Sequence, residues 1–245
     1  MNIQKLVVVT GASHGIGFEI SRRFLIAGFS VHMIARHEKG LESALKSLKK
    51  YGDVSYSVVD LSSREAIRLF ANGWSKKIWG LVNNAGRWAG ERLDEPDTGI
   101  WDSIMKLNVE GTYFLTKQLQ GWIRNGGRIV NISSQLGTSG RIGMGAYSAS
   151  KHAVIGLTRC WALELGSRNI TVNAVCPGWV NTESNRREIR EWAKDLHVSF
   201  EEKLKDLSEP LILKRFIEPK EVASLTVFLV GKEGSGITGQ VYEIK

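Results

Sequence analysis

The sequence predicts an α/β fold, a doubly wound, seven-stranded parallel sheet flanked by helices on both faces. Short runs rich in Val and Ile alternate along the chain with longer stretches of helical period. The short runs are mostly apolar on both faces, as strands covered on both sides are. A glycine-rich turn joins the first run to the first helical stretch. Repeated strand–helix–strand alternation implies right-handed crossovers and a parallel sheet.

In chain order, strands are expected at residues 5–10, 30–35, 54–59, 78–83, 127–133, 169–175 and 240–244. Helices are expected at 15–27, 40–50, 63–71, 98–124, 145–166 and 218–230. One long connection runs from Val175 to Glu218, with Pro177, Pro210 and, just past its end, Pro219 around a polar, helix-prone stretch at 183–207. A connection of that length reads as a lid or binding segment, here about 183–211, because ligands of open α/β sheets sit at the carboxyl ends of the strands. No repeat or linker breaks the pattern, so a single domain over 1–245 is expected.

With 42% hydrophobic and 24% charged residues, the 245-residue chain has enough apolar surface for a sizeable core. No apolar stretch reaches the ~20 residues a membrane span needs, and the first residues leave no room for a signal peptide. The two cysteines, Cys160 and Cys176, lack metal-ligand spacing; both read as buried thiols, with no metal site and a cytoplasmic setting. The net charge of +8 is dispersed among acids, as in Glu42, Lys46, Lys49 and Lys50 or Arg186, Arg187, Glu188 and Arg190. That pattern reads as solvated helix faces and not as a nucleic-acid footprint. An anionic cofactor, or a substrate on an acidic carrier, accounts for the excess equally well.

The first strand ends in Thr10-Gly11-Ala12-Ser13-His14-Gly15-Ile16-Gly17. Gly11 permits a tight turn, Gly15 a close backbone approach to a pyrophosphate, and Gly17 close packing of helix on sheet; the helix N-terminus then faces the phosphates. Three glycines in isolation fit a plain βα connection, but on the first strand of such an alternation they read as a phosphate loop. At the end of the second strand, where an NAD site usually places a carboxylate, stand Ala35, Arg36 and His37. An uncharged residue followed by a guanidinium fork suits a 2′-phosphate, so NADP(H) is preferred and NAD(H) possible. The bland alternative for Arg36 is an exposed loop residue.

The Gly-x-x-x-Gly-x-Gly spacing resembles the short-chain dehydrogenase/reductase family, and the likeness covers nearly the whole chain. It implies a Rossmann-type fold and oxidoreductase activity on CH–OH groups. By this resemblance Ser13, His14 and Ile16 belong to the cofactor turn, Asp60 and Leu61 contact the adenine, and Asn83-Asn84-Ala85-Gly86 is the cofactor-lining motif after the fourth strand.

Tyr147 and Lys151, i and i+4 on a helix, share one face. A free phenol, with a pKa of about 10, is a slow proton carrier at neutral pH; a nearby ammonium is expected to stabilise the phenolate and supply much of a lowering of about three units, the positive charge of an oxidised nicotinamide adding to it. A Tyr–Lys pair alone is usually surface packing. The family order adds Ser134 as hydrogen-bond donor to the substrate oxygen, Tyr147 as proton donor or acceptor, and Lys151 as partner of both Tyr147 and the nicotinamide ribose. Asn108 is implied as holder of a water that relays protons. Pro177 and Gly178 are implied to pack under the nicotinamide, with Val180 bonding its carboxamide through the backbone and Thr182 capping the lid.

The substrate cleft is expected to include Trp88, Gln135, Ile142, Trp179 and the lid, although the tryptophans fit core packing as well. The motifs look like those of 3-oxoacyl-carrier-protein reductases and aromatic-polyketide ketoreductases, which implies a small-molecule or acyl-thioester ketone as substrate. Arg168 matches a carrier-docking arginine, while the second docking position holds Asn125. An oxidising dehydrogenase of a sugar, polyol or 3-hydroxy acid is the alternative, and a non-catalytic NADP(H)-sensing scaffold a remote one. Relatives imply a homotetramer built on helices 98–124 and 145–166 and on the last strand with helix 218–230, with a dimer as fallback.

Overall fold

The computed structural model describes residues 5–245. Its seven parallel strands are β1 (Leu6–Thr10), β2 (Ser30–Ala35), β3 (Val54–Val58), β4 (Ile78–Asn83), β5 (Ile123–Ile132), β6 (Thr171–Pro177) and β7 (Val241–Ile244). They pair in the order β3-β2-β1-β4-β5-β6-β7. The order reverses between β1 and β4, which opens a crevice at the carboxyl edge where ligands of such sheets bind.

Alternation along each strand divides the core in two. Val7 and Val9 of β1 face one layer with Ile20 and Phe24 of α1 (Gly15–Ile26), Leu41 and Leu48 of α2 (Glu38–Leu48) and Val222 and Leu229. Val8 faces the other layer with Ile67 of α3 (Arg64–Asn72), Leu115 and Trp161. Both sets are almost fully buried, so the central strands carry apolar side chains on both faces.

The helix expected at 98–124 is broken. It begins as α4 (Ile100–Ile104), widens to a π-helical turn at Met105–Gly111, resumes as α5 (Thr112–Leu119) and closes in a 3-10 turn ending at Trp122. The π turn places one extra residue where Asn108 reaches sideways, bonding the Arg87 carbonyl at 2.9 Å and the Ser150 hydroxyl at 3.0 Å. β5 starts at Ile123, earlier than expected, because the chain pairs at once with Ile78 and then shifts register before Gly80 meets Arg128. Gly126, at φ +77°, absorbs that shift.

Beyond α6 (Gly145–Leu165) and β6, the long connection folds as α7 (Glu183–Asp195) and α8 (Phe200–Ser208), followed by α9 (Pro219–Val230). Ser199 and Glu202 form a reciprocal capping box that starts α8. Of the two cysteines expected inside, Cys176 is buried but Cys160 is exposed. Cys160 stands on the outer face of α6, one residue before the inward-facing Trp161, where the helical period turns it away from the sheet.

Candidate active site

The cofactor turn has the geometry the glycines suggest. Gly11 and Gly15 adopt left-handed backbone at φ +63° and +58°, where a side chain is strained. A Cβ on Gly17 would overlap the Gly11 carbonyl oxygen and lie 2.5 Å from Asn84 Nδ2. That amide ties two strand ends, donating to Thr10 O at 2.9 Å and Gly11 O at 3.3 Å. The Thr10 hydroxyl accepts from the N–H groups of Asn84 and Ala85, both at 2.9 Å. Asn83, one residue earlier, donates inward to Asn131 Oδ1 at 2.8 Å and to Thr116. His14 precedes α1 without capping it through its side chain, leaving the helix N-terminus to a ligand.

At the end of β2, Arg36 is exposed and forms no ion pair among the described residues. Nearby Asp60 accepts from the Ser62 N–H and hydroxyl, which hold its carboxyl below the usual range with help from Arg36 and His37. Leu61 is buried behind it, its carbonyl close enough to Gly111 to exclude a side chain there. An unpaired guanidinium at the sheet edge and a glycine cradle that no Cβ could enter fit a phosphorylated dinucleotide.

A cleft of about 400 Å³ runs from Ile16 past Pro177, Gly178, Val180 and Thr182 to Ser134, Tyr147, Trp88 and Trp179. Gly15 lies under the start of the lid, 3.6 Å from Thr182 Cγ2 when a Cβ is built on it. Thr182 caps α7 by accepting from the Asn185 N–H at 3.3 Å. The Val180 carbonyl accepts from Thr182 N at 2.8 Å and Asn185 Nδ2 at 2.7 Å. Gly178 donates to the Ile244 carbonyl at 2.9 Å, fastening the turn to the last strand.

Ser134 and Tyr147 line the cleft side by side, and the Ser134 hydroxyl is close enough to act on the phenol. Lys151 lies beneath, only 5% exposed, with Nζ donating to the Ile132 carbonyl at 3.0 Å and lying 5.7 Å from the Tyr147 ring centre. Gly86 lets the amine fit: a methyl there would be 3.4 Å from Lys151 Nζ and 3.2 Å from Asn108 Oδ1. Asn108 also accepts from the Arg87 N–H at 2.9 Å, and Ser150 relays to the Tyr147 carbonyl at 2.7 Å. The structure thus gathers Asn108, Ser134, Tyr147 and Lys151 into one neighbourhood.

The expected acidification of Tyr147 by Lys151 is not produced by the protein alone. Burial pushes the phenol above its ordinary value, and the Ser134 hydrogen bond only partly offsets this. Burial also lowers the Lys151 ammonium to about 8. Desolvation is the largest cause of both shifts.

Three further expectations are corrected. Ile142 is outside the cleft, 84% exposed on a surface groove with Arg92 and Leu93, because the loop turns outward there; Met144 lines the cleft instead. Arg168 is not free for docking: it donates to Asn125 Oδ1 at 3.3 Å, to both oxygens of Gln120 and to the Ile123 carbonyl. It serves as a clasp between the end of α6 and the start of β5. Third, the tryptophans do not stand alone. Trp192 of α7, which the sequence reading missed, contacts Trp88 and Trp179 edge-on at 5.8 and 6.0 Å, and Phe216 stacks on Trp179 at 5.4 Å. Only the helical period of α7, which turns Trp192 to the same side as buried Ile189, signalled it.

A phosphate-binding turn that opens onto a half-buried tyrosine above a buried lysine serves hydride exchange beside a proton donor, and the molecule is of that class of oxidoreductase. The family model described as short chain dehydrogenase matches residues 5–193, and the chain belongs to that family. It is 36% identical over 249 residues to a putative ketoacyl reductase of Streptomyces coelicolor, covering 98% of this chain and 95% of that one. The 3-oxoacyl-(acyl-carrier-protein) reductase of Thermotoga maritima is 33% identical over 246 residues, with coverage of 98% and 96%. Among solved structures, a variant of actinorhodin polyketide ketoreductase with NADPH superposes with a TM-score of 0.91 at 35% identity, covering 98% of this chain and 95% of that one.

Proposed function

We propose that the protein is an NADPH-dependent ketoreductase acting on a 3-oxoacyl or related ketone. The observation that carries this reading is the meeting of Ser134 and Tyr147 on the floor of a cleft that continues to the glycine turn, with Lys151 buried beneath them. Similarity to ketoacyl reductases over nearly the full chain supports it.

The cofactor supplies a hydride when bound. Gly11, Ser13, Gly15, Ile16 and Gly17 cradle its pyrophosphate at the N-terminus of α1, with His14 at the rim. Arg36 would hold the 2′-phosphate, Asp60 and Leu61 would hold the adenine, and Asn83, Asn84, Ala85 and Gly86 would keep the strand ends close together beside the cofactor. Pro177 and Gly178 support the nicotinamide, and Val180, whose carbonyl is already engaged, offers its N–H. Ser134 donates to the substrate oxygen as charge develops. Tyr147 gives that oxygen its proton, and its raised pKa keeps the phenol protonated for reduction. Lys151 holds the ribose and resupplies the proton, its amine close to the neutral range. Asn108 keeps the π turn open toward Lys151 and holds the water through which protons arrive.

Residues 1–245 act as one domain in this reading, with 183–211 as its lid. Exposed Leu163 on α6 and Trp101 on α4, at 85% and 51%, and Phe228 on α9 at 43%, support a homotetramer that covers both helix faces. Among the described residues no helix is long and apolar enough to cross a membrane and no cluster fits a metal. A cytoplasmic setting fits the two free cysteines. Incubating purified protein with NADPH and acetoacetyl-CoA should consume NADPH; no consumption across a panel of ketones would overturn the reading. Light scattering should give a tetramer mass, and a monomer would contradict the assembly.

A further inference from the structure

We infer that Arg141 selects for ketones bearing an anionic group remote from the carbonyl, an inference that rests on the ketoreductase reading. The loop from Ser134 to α6 carries this residue, and among the residues lining the cleft it is the only charged one. Its guanidinium lies 5.3 Å from the Trp179 ring centre, a stacking that holds the fork in place without consuming its donors. No ion pair closes on Arg141 among the described residues. Arg141 is exposed, as are Arg64, Arg68, Arg92, Arg190 and Arg215, but each of those five holds a carboxylate within 3.0 Å.

Arg141 has a second cavity at its side. The same residue borders an adjoining groove of about 350 Å³ whose other walls are Trp192, Asp195, Leu196, Lys203 and Leu207. Lys203 is half-buried there, likewise without an ion pair. Against two cations the groove sets one carboxylate, Asp195, so its walls are apolar with a net positive charge. The cofactor's own phosphates belong to the glycine turn and Arg36, at the other end of the cleft. A substrate whose carbonyl meets Tyr147 therefore extends past the tryptophans and delivers carboxylate or phosphate oxygens to Arg141, with Lys203 beyond.

Two matched pairs of ketones test this: acetoacetyl-CoA against the acetoacetyl thioester of N-acetylcysteamine, which lacks the phosphates, and an aryl keto acid against its methyl ester. The wild type should favour the charged member of at least one pair by about tenfold in kcat/KM, mainly through KM, as one charge-assisted hydrogen bond warrants. Arg141→Gln should abolish that preference and Arg141→Lys should keep part of it; the responding pair tells phosphate from carboxylate. Equal turnover of charged and neutral members by the wild type, or an unchanged preference in Arg141→Gln, overturns the assignment while leaving the ketoreductase reading intact. Failure of the wild type to reduce either member of both pairs removes both.

Discussion

The two ends of the cleft are held by different kinds of atom. At the glycine turn, backbone meets backbone: Gly17 and Gly11 touch, and the Asn84 amide bonds to Thr10 and Gly11 carbonyls. At the lid, side chains make the contacts. Trp192 reaches back to Trp88 and Trp179, while α8 has no fully buried residue and Leu196 and Leu213 stand exposed. Few buried contacts mean a low local opening free energy. The turn is therefore expected to be rigid and intolerant, and the 183–211 segment the easier of the two to open.

The largest effect is expected where the two ends meet. Tyr147→Phe should lower kcat by about 10³-fold, the order of a lost general acid, with NADPH affinity by fluorescence titration unchanged. Next comes the turn itself: Gly17→Ala should destabilise the fold by about 3 kcal/mol, seen as a Tm lower by roughly 8 °C. A Gly17→Ala protein that melts like the wild type would break the contrast between the ends. Arg36→Asp should reduce the preference for NADPH over NADH by about tenfold or more, measured as the ratio of their kcat/KM values. The smallest effect belongs to the lid. Trp192→Ala should raise the ketone KM about fivefold and cost only about 1 kcal/mol of stability, since an exposed-edge aromatic contact contributes little more; a collapse of Tm to the Gly17→Ala level would make the lid part of the rigid frame.

The same contrast explains what the sequence made legible. A tight turn, a close approach and a left-handed φ each admit glycine almost alone, so Gly11, Gly15 and Gly17 announce their geometry. Strands buried on both faces announce themselves by composition, and Tyr147 and Lys151 by helical spacing. Packing between distant segments has no such local mark. The π turn at Asn108 depends on Arg87 and Ser150, the early start of β5 on Ile78, and the engaged Arg168 on Gln120 and Ile123. The outward turn that exchanges Ile142 for Met144, and the reach of Trp192 across the cleft, are likewise set by tertiary contacts. The direction of the Tyr147 shift was missed because spacing shows a neighbouring charge but not the loss of water around it.

The central claim is that Lys151 and Tyr147 form one proton-delivering unit, and the pH dependence of kcat/KM for ketone reduction tests it most directly. Burial places the Lys151 ammonium near 8 and keeps the Tyr147 phenol protonated above its usual range. Below about pH 8 both groups carry their protons; above it the lysine loses its own first, and delivery to the phenol fails. The apparent value belongs to the pair. The account predicts a plateau up to about pH 8 and a fall approaching tenfold per pH unit above it. A rate that stays level from pH 6 to pH 10 would contradict it.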